Sequence, residues 1–368
     1  MSSVIESLEK ISDPRDQKKV TYPLPSILFM SICSIFSGAE SWDDIVTWSE
    51  INKDWLSKYV NMSQGVPCYS TIRRVFKIIS PLCWGQLIQD TVLNCHPNKV
   101  PENHVAIDGK TLRGTKCLSK DIRALQIVHA WSVNNNIVLG EVKTDSKSNE
   151  ITAIPLLLEL LDLQGSTISI DAIGCNEKII STILAQGANY VIGLKNNQPK
   201  LYDAVTEYIH NNISNEYLRE DHYDKSHGRT TRRRYFSFNL PSQISDLGFS
   251  EMKTVIATET ISTINNKQDV TSEWRYYITN HDRENSNLHS YVRNHWQVES
   301  LHWCLDVHLN DDRDKKYEEN AAENFAKTKR FLLNLVKSIP PEGKKRSLRS
   351  NLKKVGWDSN YLVKLLFS

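Results

Sequence analysis

The amino-acid sequence predicts an α/β protein, in which a mixed β-sheet carries helices on its faces. Two observations predict this fold class. The hydrophobic residues have helical spacing up to about residue 96, and the spacing changes to that of strands from residue 104. Between residues 104 and 194 the predicted elements follow the order βββαβαβ. Strands joined through a helix usually lie parallel, whereas hairpin strands lie antiparallel, so the sheet is expected to contain both kinds of pairing.

The first part of the chain is predicted to be a helical region at residues 1–98. Apolar residues recur at helical spacing in three segments, at 27–35, 42–48 and 70–79. Two prolines and several polar residues between 95 and 101 then mark a linker. The third segment carries Arg73 and Arg74, so it is either a helix that enters DNA or a plain packing helix.

The core is predicted to begin with a three-stranded meander and to occupy residues 99–198. Its second and third strands are separated by three asparagines at 134–136, which favour a hairpin turn. The predicted elements are strands at 104–108, 126–133 and 137–142, a helix at 149–161, a strand at 167–170, a helix at 176–186 and a strand at 190–194.

The pattern changes again after residue 198. A helix at 201–213 is followed by strand-like segments at 232–238, 253–261 and 274–279, which we interpret as a β-rich insertion at 199–284. The core then resumes at 285–338 with one long helix at 288–308 and another at 320–337. Residues 339–368 form a basic C-terminal segment, whose run of lysines and arginines is equally consistent with a flexible tail.

Composition excludes several classes of protein. The 368 residues include 40% hydrophobic residues, enough for a sizeable core, and the net charge of +2 excludes a histone-like protein. Seven cysteines occur singly, with no C-x-x-C pair, which argues against a disulfide framework or a cysteine-ligated zinc site. The most apolar stretch, residues 24–39, is too short to span a membrane. These features predict a reduced, cytoplasmic protein without a membrane partner.

Three carboxylates are distinguished by their positions in the predicted elements. Asp108 lies at the end of the first apolar strand, Asp171 directly follows the fourth strand, and Glu299 lies on the long helix after the insertion. A carboxylate in an apolar strand is costly unless a cation or a strong donor satisfies it. Oxygen ligands of this kind suit Mg²⁺ or Mn²⁺, so we expect the three side chains to meet at a metal site.

The helix that carries Glu299 has two distinct stripes. His295, Glu299, His302 and Asp306 form a polar stripe, whereas Val298, Leu301 and Leu305 form an apolar stripe beside it. If the apolar stripe docks on the sheet, the polar stripe faces the two aspartates. A zinc site on the polar stripe is disfavoured, because His295 and Asp306 lie three turns apart. Trp296 and Trp303 also lie on this helix, and we expect at least one of them in the core.

The blocks around these carboxylates resemble those of bacterial DDE-type insertion-sequence transposases, in particular the H-repeat-associated family. The blocks with the strongest resemblance are His104–Gly114, Ile168–Asn176 and Tyr190–Gln198. Further similar blocks occur at 13–24, 227–229, 295–307 and 356–362, so the resemblance covers nearly the whole chain.

The resemblance implies an RNase H-like core interrupted by a β-rich insertion, and DNA cleavage and strand transfer by two divalent ions, Mg²⁺ or Mn²⁺. It implies that Asp108, Asp171 and Glu299 are both the catalytic residues and the metal ligands. Related transposases often surround the last carboxylate with a tyrosine, an arginine and a lysine. Here those places hold Val292, His295 and Asp306, so these three roles are not transferred.

The expected partner is double-stranded DNA, both the inverted repeats at the ends of the element and the target, bound by a protein that is a homodimer on DNA in the cell's nucleoid. Five basic residues between 225 and 234 suggest phosphate contacts near the site, although a solvated strand edge has the same composition. The predicted DNA-binding residues are Lys195, Asn197, His227, Arg229, Arg232, Arg233, Arg234, Arg293, Trp296 and His302.

Two other functions are compatible with the sequence. The first is a transposase-derived DNA-binding protein that no longer cuts DNA, although all three acidic positions are filled. The second is a nuclease on the same RNase H-like core, which would not bind inverted repeats. Cleavage and binding of inverted-repeat DNA with and without Mg²⁺ would separate these functions.

Overall fold

The protein is built around one nine-stranded sheet. The computed structural model describes residues 4–94, 103–144, 150–214, 217–226, 229–264, 270–339 and 346–367. The strand order in the sheet is β3-β2-β1-β4-β5-β9-β8-β7-β6. Its first five strands are β1 (His104–Leu112), β2 (Leu125–Ser132), β3 (Ile137–Lys143), β4 (Thr167–Ile170) and β5 (Asn189–Leu194).

These five strands have the RNase H-like arrangement. β1, β2 and β3 form an antiparallel meander, and the turn between β2 and β3 contains Asn136 with a positive φ of 57°. β4 lies parallel to β1 on one side and to β5 on the other. The helices α7 (Glu150–Glu159) and α8 (Glu177–Ala185) connect β3 to β4 and β4 to β5. The mixed sheet and the RNase H-like core are therefore confirmed.

Alternate residues of the central strands face two different layers of helices. Ile107 and Ala130 pack with Leu157 of α7 on one face. Ala106 and Trp131 pack on the other face against α12 (Gln297–Leu309) and α13 (Ala321–Ser338). Because side chains alternate along a strand, Asp108 and Lys110 lie on the same face as Ala106, towards α12.

The insertion continues the same sheet. It contains α9 (Pro199–Asn212), β6 (Leu218–Ser226), β7 (Arg229–Asn239), α10 (Ser242–Ser245), β8 (Thr254–Ile264) and β9 (Val270–Thr279). β9 pairs antiparallel with β5, so these strands extend the core sheet. β6 and α10 were not predicted. β6 is an edge strand with the sequence LREDHYDKS, and its many charged residues gave it no apolar alternation to detect.

The prediction of one long helix from 288 to 308 is wrong. The segment forms α11 (Leu288–His295) and α12, which are separated at Trp296. There the backbone N–H of Glu299 donates to the carbonyl of Trp296, three residues back instead of four. The expected burial of at least one tryptophan is also wrong, since Trp296 is 42% and Trp303 57% exposed. Val298 and its apolar neighbours take up the side of the helix that faces the sheet.

The N-terminal helices pack on α13. They are α1 (Val4–Glu9), α2 (Leu24–Phe36), α3 (Trp42–Ile51), α4 (Lys53–Leu56), α5 (Tyr69–Ile78) and α6 (Pro81–Asn94). α2 is almost wholly buried, and the indole N–H of Trp84 lies 3.2 Å from both the Asn324 carbonyl and the Thr328 hydroxyl. No helix in the described ranges is long and apolar enough to cross a membrane.

The alternative of a flexible C-terminal tail is wrong for residues 348–367. They form α14 (Leu348–Trp357) and α15 (Ser359–Phe367). Leu362, Leu365 and Leu366 are buried, and the ring of Phe367 lies 6.2 Å from that of Phe29 in α2. The lysines and arginines between residues 348 and 367 therefore lie on helices whose apolar faces pack against the N-terminal core.

Candidate active site

The first two predicted carboxylates lie where β1 extends beyond β4. Ile107 and Ile170 form the last residue pair between these strands, so Asp108 and Asp171 follow directly at the same edge. The carboxylate of Asp171 accepts a hydrogen bond of 3.0 Å from the backbone of Ile173 and thereby caps a short turn. Gly193 of β5 allows this turn to approach closely, since a Cβ there would lie 3.1 Å from the backbone nitrogen of Ala172.

Glu299 lies in the first turn of α12, whose apolar stripe docks on the sheet as predicted. A partly buried ion pair holds this helix in place. Lys110 of β1 donates hydrogen bonds of 2.6 and 2.7 Å to the two carboxylate oxygens of Asp306. Because Lys110 lies two residues after Asp108 and Asp306 lies seven after Glu299, this ion pair fixes the first turn of α12 relative to β1.

The carboxylates influence one another electrostatically. Burial raises the pKa of Asp108 to about 7, and the negative charges of Asp171, Glu150 and Glu299 add to the effect. Burial followed by the charge of Asp171 also raises the pKa of Glu150. Glu150 is the first residue of α7 and was not predicted, because a glutamate at the start of a helix is ordinary for its sequence position.

Histidines support the site from within the protein. Nδ1 of His302 lies 3.6 Å from the Asp108 carboxylate, and its Nε2 lies 3.3 Å from Nδ1 of the buried His129. Burial lowers the pKa of His302 to about 2, so its imidazole is neutral. His295 contacts the hydroxyl of Ser169 at 3.0 Å, and that hydroxyl also contacts His104 at 2.8 Å. His302, a predicted DNA contact, is thus largely enclosed by protein groups.

The chemistry of the site fits a hard divalent cation. Asp108, Asp171, Glu150 and Glu299 offer oxygen donors, which hard divalent cations prefer. For Asp108 and Glu150, burial and neighbouring negative charges raise the pKa, so their ionised forms are unfavourable without a cation. Among the described residues, no three histidine, cysteine, aspartate or glutamate side chains are already gathered closely enough to hold a metal ion.

The predicted DNA-binding arginines of β7 lie on two different faces. Arg232 and Arg234 face the side of Phe236 and form ion pairs with Asp221 and Glu259. Arg233 and Arg229 face the opposite side, where Tyr235 packs against α11. Within the described ranges Arg233 has no ion pair. Burial raises the pKa of Tyr235, and the nearby positive charges of Arg233 and Arg293 oppose this rise.

The remaining predicted DNA-binding residues also have defined surroundings. Trp296 stacks with Arg275 of β9, whose guanidinium lies 4.9 Å from the ring centre. Arg293 and Lys195 are exposed. The side-chain amide of Asn197 donates to the carbonyl of Ala172 at 2.8 Å and so supports the turn after Asp171. His227 lies outside the described residues. DNA binding by all of these residues stays a prediction.

Comparisons with known proteins identify the family. The family described as "Transposase DDE domain" matches residues 99–335, and the family described as "DDE_Tnp_1-associated" matches residues 5–87. The "H repeat-associated putative transposase YhhI" of Escherichia coli strain K12 is 35% identical over 375 residues, covering 100% of this chain and 98% of its own. The "Putative transposase YncI" of Escherichia coli O157:H7 is also 35% identical, covering 100% and 95%.

A solved structure, a piggyBac transposase synaptic complex with hairpin DNA, aligns with 100% of this chain and 78% of its own, with 12% identity and a TM-score of 0.44. The RNase H-like strand order, the edge where the two aspartates meet and the family matches agree on the class of protein. The chain belongs to the DDE transposase family.

Proposed function

We propose that the protein binds the ends of a transposable element and catalyses metal-dependent DNA cleavage and strand transfer, with Asp108, Asp171 and Glu299 as catalytic residues. One observation carries the proposal. Asp108 and Asp171 directly follow the last residue pair of β1 and β4, and α12, which carries Glu299, docks on the same face of the sheet as Asp108. Burial raises the pKa of Asp108, and the negative charges of Asp171 and Glu299 add to the effect. Catalytic sites commonly hold strongly perturbed carboxyl groups of this kind.

Asp108, Asp171 and Glu299 would hold two ions, Mg²⁺ or Mn²⁺, through their carboxylate oxygens. When bound, such ions activate the attacking water or 3′-hydroxyl and stabilise the leaving 3′-oxygen of an in-line displacement. The chain's own groups orient the ligands. His302 contacts the carboxylate of Asp108, Asn197 supports the turn after Asp171, and Lys110 with Asp306 fixes the helix that carries Glu299.

The DNA would bind along the face of the sheet that carries α11 and α12. Arg229, Arg233, Arg275 and Arg293 lie on this face, beside the exposed ring of Trp296. Phosphate contacts from these arginines would position the duplex, and the tryptophan offers a surface for an unpaired base. Because transposition joins two ends of an element, we expect two copies of the chain to act together on DNA.

The proposal is tested on a DNA fragment that contains the reading frame with its natural flanks. We expect the purified full chain to cut this fragment at its ends in Mg²⁺ or Mn²⁺ and not in a chelator. Asp108→Asn, Asp171→Asn and Glu299→Gln should each reduce cleavage at least about a thousandfold, since each removes an ion ligand, and each should still bind the fragment.

The outcomes also separate the alternatives. Binding of the ends without cleavage by the unaltered chain in either ion would identify a DNA-binding descendant of a transposase. Cleavage that does not depend on the ends would identify an RNase H-like nuclease. Undiminished cleavage by the Asp108→Asn variant would contradict the proposed catalytic role directly.

A further inference from the structure

A fourth carboxylate, that of Glu150, lies at the same edge of the sheet. Glu150 begins α7, which packs on the face opposite to α12. Its carboxyl group fills the space beside Gly109, the residue that follows Asp108. A Cβ at position 109 would overlap with the carboxyl carbon and both carboxylate oxygens of Glu150. Glycine at 109 is therefore what admits this carboxylate beside the strand.

The part of β1 that extends beyond β4 explains how carboxylates from the two faces of the sheet come together. β4 ends at Ile170, so beyond Ile107 the strand β1 has a neighbour on the β2 side alone. A side chain from the α7 layer can reach this free edge, as a side chain from the α12 layer does. Glu150 acts on the pKa of Asp108, and Asp171 acts on that of Glu150, which places all three within electrostatic reach.

Within the described part of the chain, Glu150 has no ion pair with a lysine, arginine or histidine. No hydrogen bond or ion pair reaches its carboxylate from the residues that the structure describes, and its pKa is raised by burial and by Asp171. By contrast, Asp306 is paired with Lys110 and Glu259 with Arg234. A partly buried, unpaired carboxylate is costly, and a site for cations is a physical reason to retain one.

Resting on the proposed function, we propose that Glu150 is a fourth carboxylate of the metal site and allows both divalent ions to bind before DNA does. The reason is a count of charges. Two divalent ions carry four positive charges, and Asp108, Asp171, Glu299 and Glu150 carry four negative charges when ionised. With three carboxylates the balance would be completed by the phosphate of the DNA, so the second ion would bind well only with DNA present.

The test is a Mn²⁺ titration of the full chain, followed by electron paramagnetic resonance of the free ion, with and without DNA. We expect the unaltered protein to bind two Mn²⁺ without DNA. Glu150→Gln should bind the second ion at least about tenfold more weakly, as is typical when a group close to a metal is removed, and DNA should restore it. Glu159→Gln removes the same charge from the exposed far end of α7 and should match the unaltered protein.

Two more variants connect the effect to geometry. Gly109→Ala should behave like Glu150→Gln, because its methyl group displaces the carboxylate. Glu150→Asp keeps the charge and should retain most of the affinity for the second ion. Thermal unfolding of each variant establishes that it is folded, and Glu150→Asp supplies the comparison if the glutamine variant is not.

The result separates this inference from the function on which it rests. If Glu150→Gln binds both ions like the unaltered protein while Asp108→Asn loses them, Glu150 has no part in the site and the proposed function stands. If the unaltered protein binds a single Mn²⁺ without DNA, the early loading of the second ion is wrong. If it neither binds Mn²⁺ nor cuts DNA, both proposals fail.

Discussion

The two halves of the sheet treat their charged residues differently. At the edge of β1 and β4, four carboxylates influence one another, and the strongest charge effects on Asp108 come from other carboxylates. In the inserted strands the opposite holds for the arginines on one face, since Arg232 and Arg234 are matched with Asp221 and Glu259. The charge on the face of Arg232 and Arg234 is therefore compensated, whereas the carboxylates at the edge of β1 and β4 repel one another.

This difference offers a way to separate charged residues that stabilise the fold from charged residues that bind a ligand. In an ion pair inside a protein the two charges compensate each other. Unpaired charges of one sign destabilise the fold, and they are typically found where a ligand of the opposite sign binds. By this criterion the carboxylate edge and the face of Arg233 are candidate binding surfaces. By the same criterion we expect a structural role for the face of Arg232 and Arg234, although all three arginines are adjacent in the sequence.

The largest effect on stability is expected from the most deeply buried ion pairs, beneath α13. Arg330 forms ion pairs with Asp311 at 2.6 Å and with Glu141 at 3.0 Å, and all three side chains are buried. Burial alone would raise the pKa of Glu141, but Lys327 and Arg330 outweigh it and leave the pKa lowered. Arg330→Met should reduce the free energy of unfolding by about 3–5 kcal/mol, because it leaves two buried carboxylates without this partner.

Urea denaturation of the unaltered protein and of the Arg330→Met variant measures this loss of unfolding free energy. The matched control is Arg232→Met, whose ion pair with Asp221 lies at the surface and should contribute little to stability, because solvent screens exposed ion pairs. Equal losses in the two variants would remove the distinction between buried and superficial pairs. A loss below about 1 kcal/mol for Arg330→Met would show that the network beneath α13 is not structural.

The sequence was informative where chemistry and hydrophobic pattern agree. Asp108 and Asp171 end apolar strands, and Glu299 lies beside an apolar stripe, so the edge at which the aspartates meet and the docking of α12 followed from the pattern. Glu150 could not be predicted, because its position depends on the absence of a side chain at Gly109, on another strand. Such a contact between distant residues leaves no local pattern.

The insertion shows a second limit. Alternation predicts that Arg233 faces away from Arg232 and Arg234, but it does not say which face is turned towards α11. That assignment depends on the pairing of β9 with β5, and the partner Asp221 lies on β6, a strand without apolar alternation. The sequence therefore predicted a basic strand but not which of its arginines are already paired.

The next expected effect follows from the burial of Asp108 and its repulsion by the neighbouring carboxylates. The raised pKa of Asp108, about 7, means that the folded protein holds this proton more tightly than the unfolded chain. Stability is therefore lost as the pH rises from about 4, the ordinary aspartate value, to about 7. In a chelator, Asp108→Asn should stabilise the protein by about 1–2 kcal/mol at pH 8, allowing for the solvent exposure of the side chain.

Thermal and urea unfolding at pH 4 and pH 8 check this prediction. The gain should disappear at pH 4, where both forms carry no charge at this position, and it should shrink in Mg²⁺, which binds the unaltered protein. Asp203→Asn, on the exposed side of α9, should change little at either pH. Stabilisation of equal size at both pH values would mean that packing, and not charge, is responsible.

A smaller effect is expected from the two faces of β7. Arg233→Gln should lower DNA affinity and flatten the dependence of log K on log salt concentration by roughly 0.9, the value for one phosphate contact. Arg232→Gln, one residue away on the opposite face and paired with Asp221, should leave that slope unchanged. Sequence preference should be the same in both variants, because phosphate contacts do not read bases.

Fluorescence anisotropy with labelled duplex at several salt concentrations measures both slopes. If Arg232→Gln flattens the slope as much as Arg233→Gln does, its ion pair opens on DNA and compensated charge is not a guide to function. An unchanged slope in both variants would assign the whole basic run to a solvated edge.

The smallest effect concerns the helix α5, where the same contrast recurs between adjacent arginines. Arg73 lies 3.3 Å from Glu318, and Lys77 lies 3.1 Å from Glu319, so both help to hold α5 against the start of α13. Arg74 is exposed and forms no ion pair within the described ranges. If α5 contacts DNA, Arg74→Gln should weaken binding of the element's ends, whereas Arg73→Gln should cost at most about 1 kcal/mol of stability and leave binding unchanged.

The comparison uses the full chain, because the N-terminal helices share their core with α13. Competition between end fragments and random duplex gives the readout. Equal loss for both DNAs would limit Arg74 to a phosphate contact, and no loss for either would leave α5 as a packing helix, with end recognition located elsewhere.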